Sequence, residues 1–272
     1  MATLPEAFYL PAGDGTFEPT EATTSPWDAS AQHGGPPTAL VATMMQAAAD
    51  EPASGLRLAR VTAELLGPIP RRTVTVRARV ARPGRRVCMT EATLAAADDP
   101  DRPAVLARAW HIATAARPPA PASPPPAPPG PIPGADEVEP YRPLLGLSDG
   151  WGYGAAIDWR FTDGAFHRPG PARVWTRLRI PFVAGAGTTS VQRALVVADA
   201  ANGVSAELPA GWGFIPTSVT VHLRRHPAGE WVHMAAITAI GDDGVGLTTG
   251  TLADPDGEVG VVTQPLLITP MG

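Results

Sequence analysis

The residue best placed to do chemistry is Asp199, because it stands inside the apolar run Ala194-Leu195-Val196-Val197-Ala198-Asp199-Ala200-Ala201. A carboxylate buried without a partner on such a helix is strongly destabilising or is driven to hold a proton. The same group can draw a proton from water as a general base, or orient that water. A second reading puts Asp199 on a solvated helix edge, since Gln192 lies two turns earlier on the same face. Other hydrolytic and cofactor signals are missing: there is no G-x-S-x-G elbow, H-E-x-x-H pair, Walker loop or dinucleotide glycine fingerprint. The one cysteine, Cys88, falls in an alternating strand pattern and reads as a small core residue. Water is therefore the nucleophile to expect, with no metal and no cofactor.

Donors for a developing oxyanion could come from His33-Gly34-Gly35-Pro36-Pro37, which opens an apolar stretch. Amides at a helix start point outward with the helix dipole behind them, and glycine permits close approach. Gly34 and Gly35 have a second role open to them, which is to allow the turn into the helix. His33 is placed to touch substrate or to cap that helix. Trp27, Trp151, Trp175 and Trp212 pack the sheet or line a channel.

The elements that must hold these groups are written twice. Residues 60–114 and 218–269 each open with a Val-Thr strand (Val61-Thr62 and Val219-Thr220), pass through a proline loop, and continue as three alternating strands with Gly or Asp turns. Two copies of this length do not make a solenoid; they make paired domains or a pseudo-dimer in one chain. Ahead of each strand block lies a helix candidate, TALVATMMQAAAD in the first copy and VQRALVVADAANG in the second, the latter with Thr188, Thr189 and Ser190 as N-cap candidates. Both are apolar almost all round, as a helix wrapped by a sheet must be. Superposed, Met44 faces Asp199 and Ala109 faces Gln264, so only one copy carries the acid. Earlier strands are expected at 7–10 with 15–19, and at 155–161 with 174–180.

At 272 residues the chain can bury a full core without staples, and with one cysteine there is no disulfide framework. All 21 basic residues are arginine, a sign of coding bias, and the formal charge is −5. Nucleic acid is not an expected partner. No signal peptide and no run of eighteen apolar residues is present, so no membrane partner is expected and the cytoplasm is the expected location. The stretch at 118–134 is proline-rich and reads as an extended linker. The organisation expected is an N-terminal unit over 1–117, that linker, and a C-terminal unit over 135–272.

The segments HGGPPTALVATMM, RVTAELLGPIP, ALVVADAANG and VTVHLRR, in this order, resemble the thioesterase-like superfamily and, within it, the acyl-CoA thioesterase II family. The resemblance spans nearly everything but the linker. It implies an α+β double hotdog, two curved antiparallel sheets each wrapped around a long central helix. It also implies hydrolysis of acyl-CoA or a related acyl thioester, and it admits a homo-oligomer. In that family an aspartate, a threonine-type hydroxyl and a glutamine hold the attacking water. Asp199 and Gln264 match the first and last; for the hydroxyl, Thr217 is the first choice and Ser218 the reserve, unless Pro216 occupies the position. The alternative is a non-catalytic acyl-thioester or lipid-binding hotdog protein. Hydratase chemistry would want a histidine shortly after the aspartate, and Asp199 is followed by AANGV.

Overall fold

The computed structural model describes residues 3–115, 126–139, 151–208 and 211–270, so part of the proline-rich linker lies outside the described residues. The first half runs β1 (Tyr9–Gly13), β2 (Thr16–Pro19), β3 (Ala31–Gln32), α1 (Gly35–Ala48), α2 (Glu51–Ser54), β4 (Leu56–Leu65), β5 (Ile69–Pro70), β6 (Val74–Arg82), β7 (Val87–Ala96) and β8 (Pro103–Ala113). The second runs α3 (Gly152–Ala155), β9 (Ile157–Ala165), β10 (Arg168–Leu178), α4 (Ser190–Ala198), α5 (Ala201–Val204), β11 (Trp212–Pro216), β12 (Ser218–Leu223), β13 (Val232–Ile240), β14 (Val245–Asp254) and β15 (Gly257–Pro270). The duplicated order foreseen from the sequence is present, with each sheet curved over its helix.

The two sheets are continuous. Their strands follow the order β1-β2-β6-β7-β8-β4-β12-β15-β14-β13-β10-β9, with β11 added beside β15. The join is the antiparallel pair β4–β12, where Thr62 stands opposite Thr220 and Val61 opposite Val221. The two Val-Thr strands that announced the repeat thus meet each other, and the hydroxyls of Thr62 and Thr220 lie 3.0 Å apart at the pseudo-twofold centre. Equivalent residues meet at the axis of an isologous contact, which is what a fused dimer requires.

One core serves both halves. Leu40, Val41 and Met45 of α1 pack with Leu58, Val61, Leu94 and Val105 of its sheet, and the same cluster runs on through Leu195 and Val196 of α4 to Val221, Met234 and Val262. Burying each such aliphatic side chain contributes roughly 1.5–3 kcal/mol before entropy. The N-terminal segment also crosses to the second half, since the amides of Phe8 and Tyr9 donate to the carbonyls of Pro181 and Phe182. On the other side, the linker residues Gly130 and Pro133 accept hydrogen bonds from Trp175 and Arg160.

The helices differ between copies. α1 is an unbroken 14-residue helix, whereas α4 has only 9 residues and yields to a turn at Asp199-Ala200 before α5 resumes. Its start is well made: Thr189 and Gln192 form a reciprocal capping box. The interruption has a specific cause. The Gln264 side chain donates from Nε2 to the Asp199 carbonyl (3.1 Å) and accepts at Oε1 from the Asn202 amide (3.1 Å), taking over backbone bonds at the break. Ala109, at the matching place on β8, offers no such groups.

Candidate active site

Asp199 closes α4, where the chain passes the start of α1 from the other half. Gly34 and Gly35 make that crossing possible. A β-carbon on Gly34 would lie 2.7 Å from Asp199 Oδ2, and one on Gly35 would run into the Val196 carbonyl. Their role is thus close approach between two helices. The amides of Gly34 and Gly35 face the Asp199 carboxylate and favour its ionised form. In this structure the helix crossing puts the Asp199 carboxylate against the N-terminus of α1, where the sequence suggested donors for a substrate carbonyl.

The carboxylate is buried, with Oδ1 accepting from Gln264 Nε2 at 3.0 Å and Oδ2 lying 3.1 Å from His33 Nδ1. Burial pushes its pKa up to about 7, partly opposed by the Gly34 amide, the Gln264 side chain and the Gly35 amide. A buried carboxylate that titrates near neutrality can take a proton from water and give it back.

His33 is held flat on Tyr153, with ring centroids 3.8 Å apart and planes 6° from parallel. Burial drops its pKa to about 3, so the imidazole is neutral. Its Nδ1 accepts the Gly35 amide at 3.2 Å, which leaves Nε2 as the nitrogen bearing hydrogen. With its lone pair engaged by the Gly35 amide and its ring neutral, Nδ1 is a close neighbour of Asp199 Oδ2. A neutral imidazole beside the carboxylate makes no ion pair with it.

Both residues line a cavity of about 300 Å³ bounded by the two halves. Trp27, Leu65 and Ile69 come from the first half, and Trp151, Phe166, Phe214 and Pro216 from the second. Asp199, His33 and Asn202 are among its polar lining residues. Trp27 is 40% exposed and marks the mouth, while Trp151 and Phe166 are buried below it. Trp212 is also exposed, on β11, whereas Trp175 is a core residue far along the sheet.

The remaining residues expected in a site separate into two groups. Gln264 is fully buried and acts on Asp199 from behind rather than lining the cavity. Thr217 is exposed, Ser218 is half-buried opposite Glu64, and neither lines the cavity. Pro216 does line it. The strand alternates, so a proline facing inward turns the next residue out, and the hydroxyl expected from Thr217 or Ser218 is not brought to Asp199. Asn202 escaped the sequence reading; a polar residue three places after Asp199 in the same apolar helix was the signal available. No group of three or more His, Cys, Asp or Glu side chains able to hold a metal occurs among the described residues. Among the described residues, no helix is long and apolar enough to cross a membrane.

The chain is a tandem hotdog with an acid-bearing cavity between its halves. Two family models match it in order: the acyl-CoA thioesterase N-terminal domain over residues 23–112, and the acyl-CoA thioesterase C-terminal domain over 119–268. The chain belongs to the acyl-CoA thioesterase family and is a thioester hydrolase. Solved structures share the fold across their length. A hot dog fold protein of unknown function from Alicyclobacillus acidocaldarius is 14% identical, with 98% of each chain covered and a TM-score of 0.70. The acyl-CoA thioesterase II TesB2 from Mycobacterium marinum is 13% identical, with 97% of this chain and 95% of that one covered and a TM-score of 0.63. A TesB protein from Mycobacterium avium subsp. paratuberculosis is 14% identical, with 96% of each covered and a TM-score of 0.63. No curated protein matches the chain.

Proposed function

We propose that the chain hydrolyses acyl-CoA thioesters by direct attack of water, with ionised Asp199 as the general base. The observation that carries this reading is the Asp199 carboxylate itself: buried, set to titrate at about 7, and exposed on one side to an apolar cavity. Gln264 fixes the carboxylate through Oδ1 and thereby aims Oδ2. Water gives its proton to Asp199 as its oxygen bonds to the thioester carbon. The carbonyl oxygen gains charge, and His33 Nε2–H is the neutral donor available in the cavity wall. Collapse breaks the carbon–sulfur bond, and the proton on Asp199 passes to the departing thiolate. With Pro216 rather than Thr217 or Ser218 in the cavity wall, Asp199 carries the positioning of water.

The test is release of free thiol from a panel of acyl-CoA substrates by wild type, Asp199→Ala and Gln264→Ala. Loss of the base lowers kcat/KM by about 100-fold or more. Equal rates in all three proteins sink the assignment.

A further inference from the structure

The ring of Phe166 lines the catalytic cavity and also a second cavity of about 350 Å³, formed by Trp159, Phe161, Gly164 and the segment Glu137 to Glu139. We infer that Phe166 is the floor that sets acyl-chain length, separating a short apolar pocket from a further cleft that the chain would otherwise enter. This rests on the thioesterase reading above and names the substrates that reading would favour.

Phe166 sits at the tip of the β9–β10 hairpin, between Ala165 and His167, a place where side chains are commonly exposed. Here the ring is only 4% exposed. Three aromatic neighbours hold it edge to face: Trp159 at 4.9 Å, Phe161 at 5.1 Å and Trp151 at 6.1 Å between centroids. Such tilted packing fixes a ring in orientation as well as in place. On one side are Trp151, Phe214 and Asp199; on the other are Glu137, Glu139, Asp163, His167 and Arg168. The ring therefore stands between an apolar chamber and a charged cleft.

The size of the chamber converts into a chain length. At about 30 Å³ per water-sized group, 300 Å³ holds about ten heavy atoms, an acyl group of roughly eight to ten carbons. Up to that length each added methylene tightens binding about fourfold. Beyond it the next methylene meets Phe166 and gains nothing. Removing the ring joins the two spaces and moves the limit outward, while cutting Thr162, an exposed residue that lines only the far cleft, back to alanine leaves the limit where it is.

The experiment is calorimetric binding of non-hydrolysable thioether analogues of saturated acyl-CoAs, from four to sixteen carbons, to wild type, Phe166→Ala, Phe166→Leu and Thr162→Ala, with thiol release from octanoyl-CoA measured beside it. The expected result is an affinity that climbs and then levels off near ten carbons in wild type and Thr162→Ala. The limit shifts by several carbons in Phe166→Ala and by fewer in Phe166→Leu, which keeps an apolar side chain at the hairpin tip. Affinity rising without a break to sixteen carbons in wild type, or an unmoved limit in a folded Phe166→Leu or Phe166→Ala protein, overturns the inference. Absence of thiol release from octanoyl-CoA counts against hydrolysis and leaves the binding limit to judge Phe166.

Discussion

Replacing Asp199 by asparagine separates what this residue does for the reaction from what it does to the fold. The carboxyl titrates at about 7 in the folded chain against 3.8 in the absence of its surroundings. Between about pH 4 and pH 7 the folded protein keeps a proton that the unfolded chain has released, so stability falls as pH rises through that window and stays low above it. The gap corresponds to at most about 4 kcal/mol. Asparagine is never charged. Its Oδ1 can still accept from Gln264, and its neutral Nδ2 takes the place of Oδ2 beside His33. The Gly34 and Gly35 amides lose their acceptor, which returns part of the gain. The net expectation is about 2 kcal/mol of added stability at pH 8, a rise of about 5 °C in Tm, fading towards pH 4, together with loss of hydrolysis. Thermal unfolding of both proteins at pH 4, 6 and 8, with thiol release at pH 8, measures this. An Asp199→Asn protein no more stable than wild type at pH 8, or one whose advantage does not grow with pH, would refute the claim that burial strains this carboxylate.

The proton held by Asp199 sets the pH dependence of turnover: kcat/KM for an acyl-CoA rises as pH passes about 7 and then levels off, the reverse of what a protonated catalyst would show. Pro216→Thr puts a hydroxyl into the cavity wall and raises kcat in a thiol-release assay, whereas Thr217→Ala, at an exposed position, leaves it within about twofold. Gly35→Ala forces a methyl group into the Val196 carbonyl, and chemical denaturation of that variant shows a loss of about 3 kcal/mol or more.

Much of the fold was legible because it was written twice. The Val-Thr strands, the two apolar helices and the Met44–Asp199 asymmetry each follow from side-chain period and from comparing copies, and Gln264 followed from the family pattern. Three things were not legible, each for a physical reason. The encounter of His33 with Asp199 joins residues 166 positions apart across the pseudo-dimer axis, and no local pattern encodes it. The inward face of Pro216 depends on where β11 ends and β12 begins, a register that sequence spacing leaves free by one residue. The break in α4 arises from a side chain on a distant strand, so the helix pattern ran on through Asp199 without a signal. The first half holds a related surprise: Thr90, His111 and Glu51 form a buried chain of hydrogen bonds where the second half has Thr248, Thr238 and Ser205.

The shared β4–β12 seam has a consequence for how such a chain can be divided. Two copies of the first half could pair through β4, and each His33-Gly34-Gly35 turn would then meet Met44 of the other copy, with no acid. Two copies of the second half would set each Asp199 against a turn that carries no imidazole. A working centre needs one half of each kind. Expressed as separate polypeptides, the halves form a complementation pair whose activity reports mixed assembly alone, and the linker's contribution is to enforce the mixed partnership in every molecule.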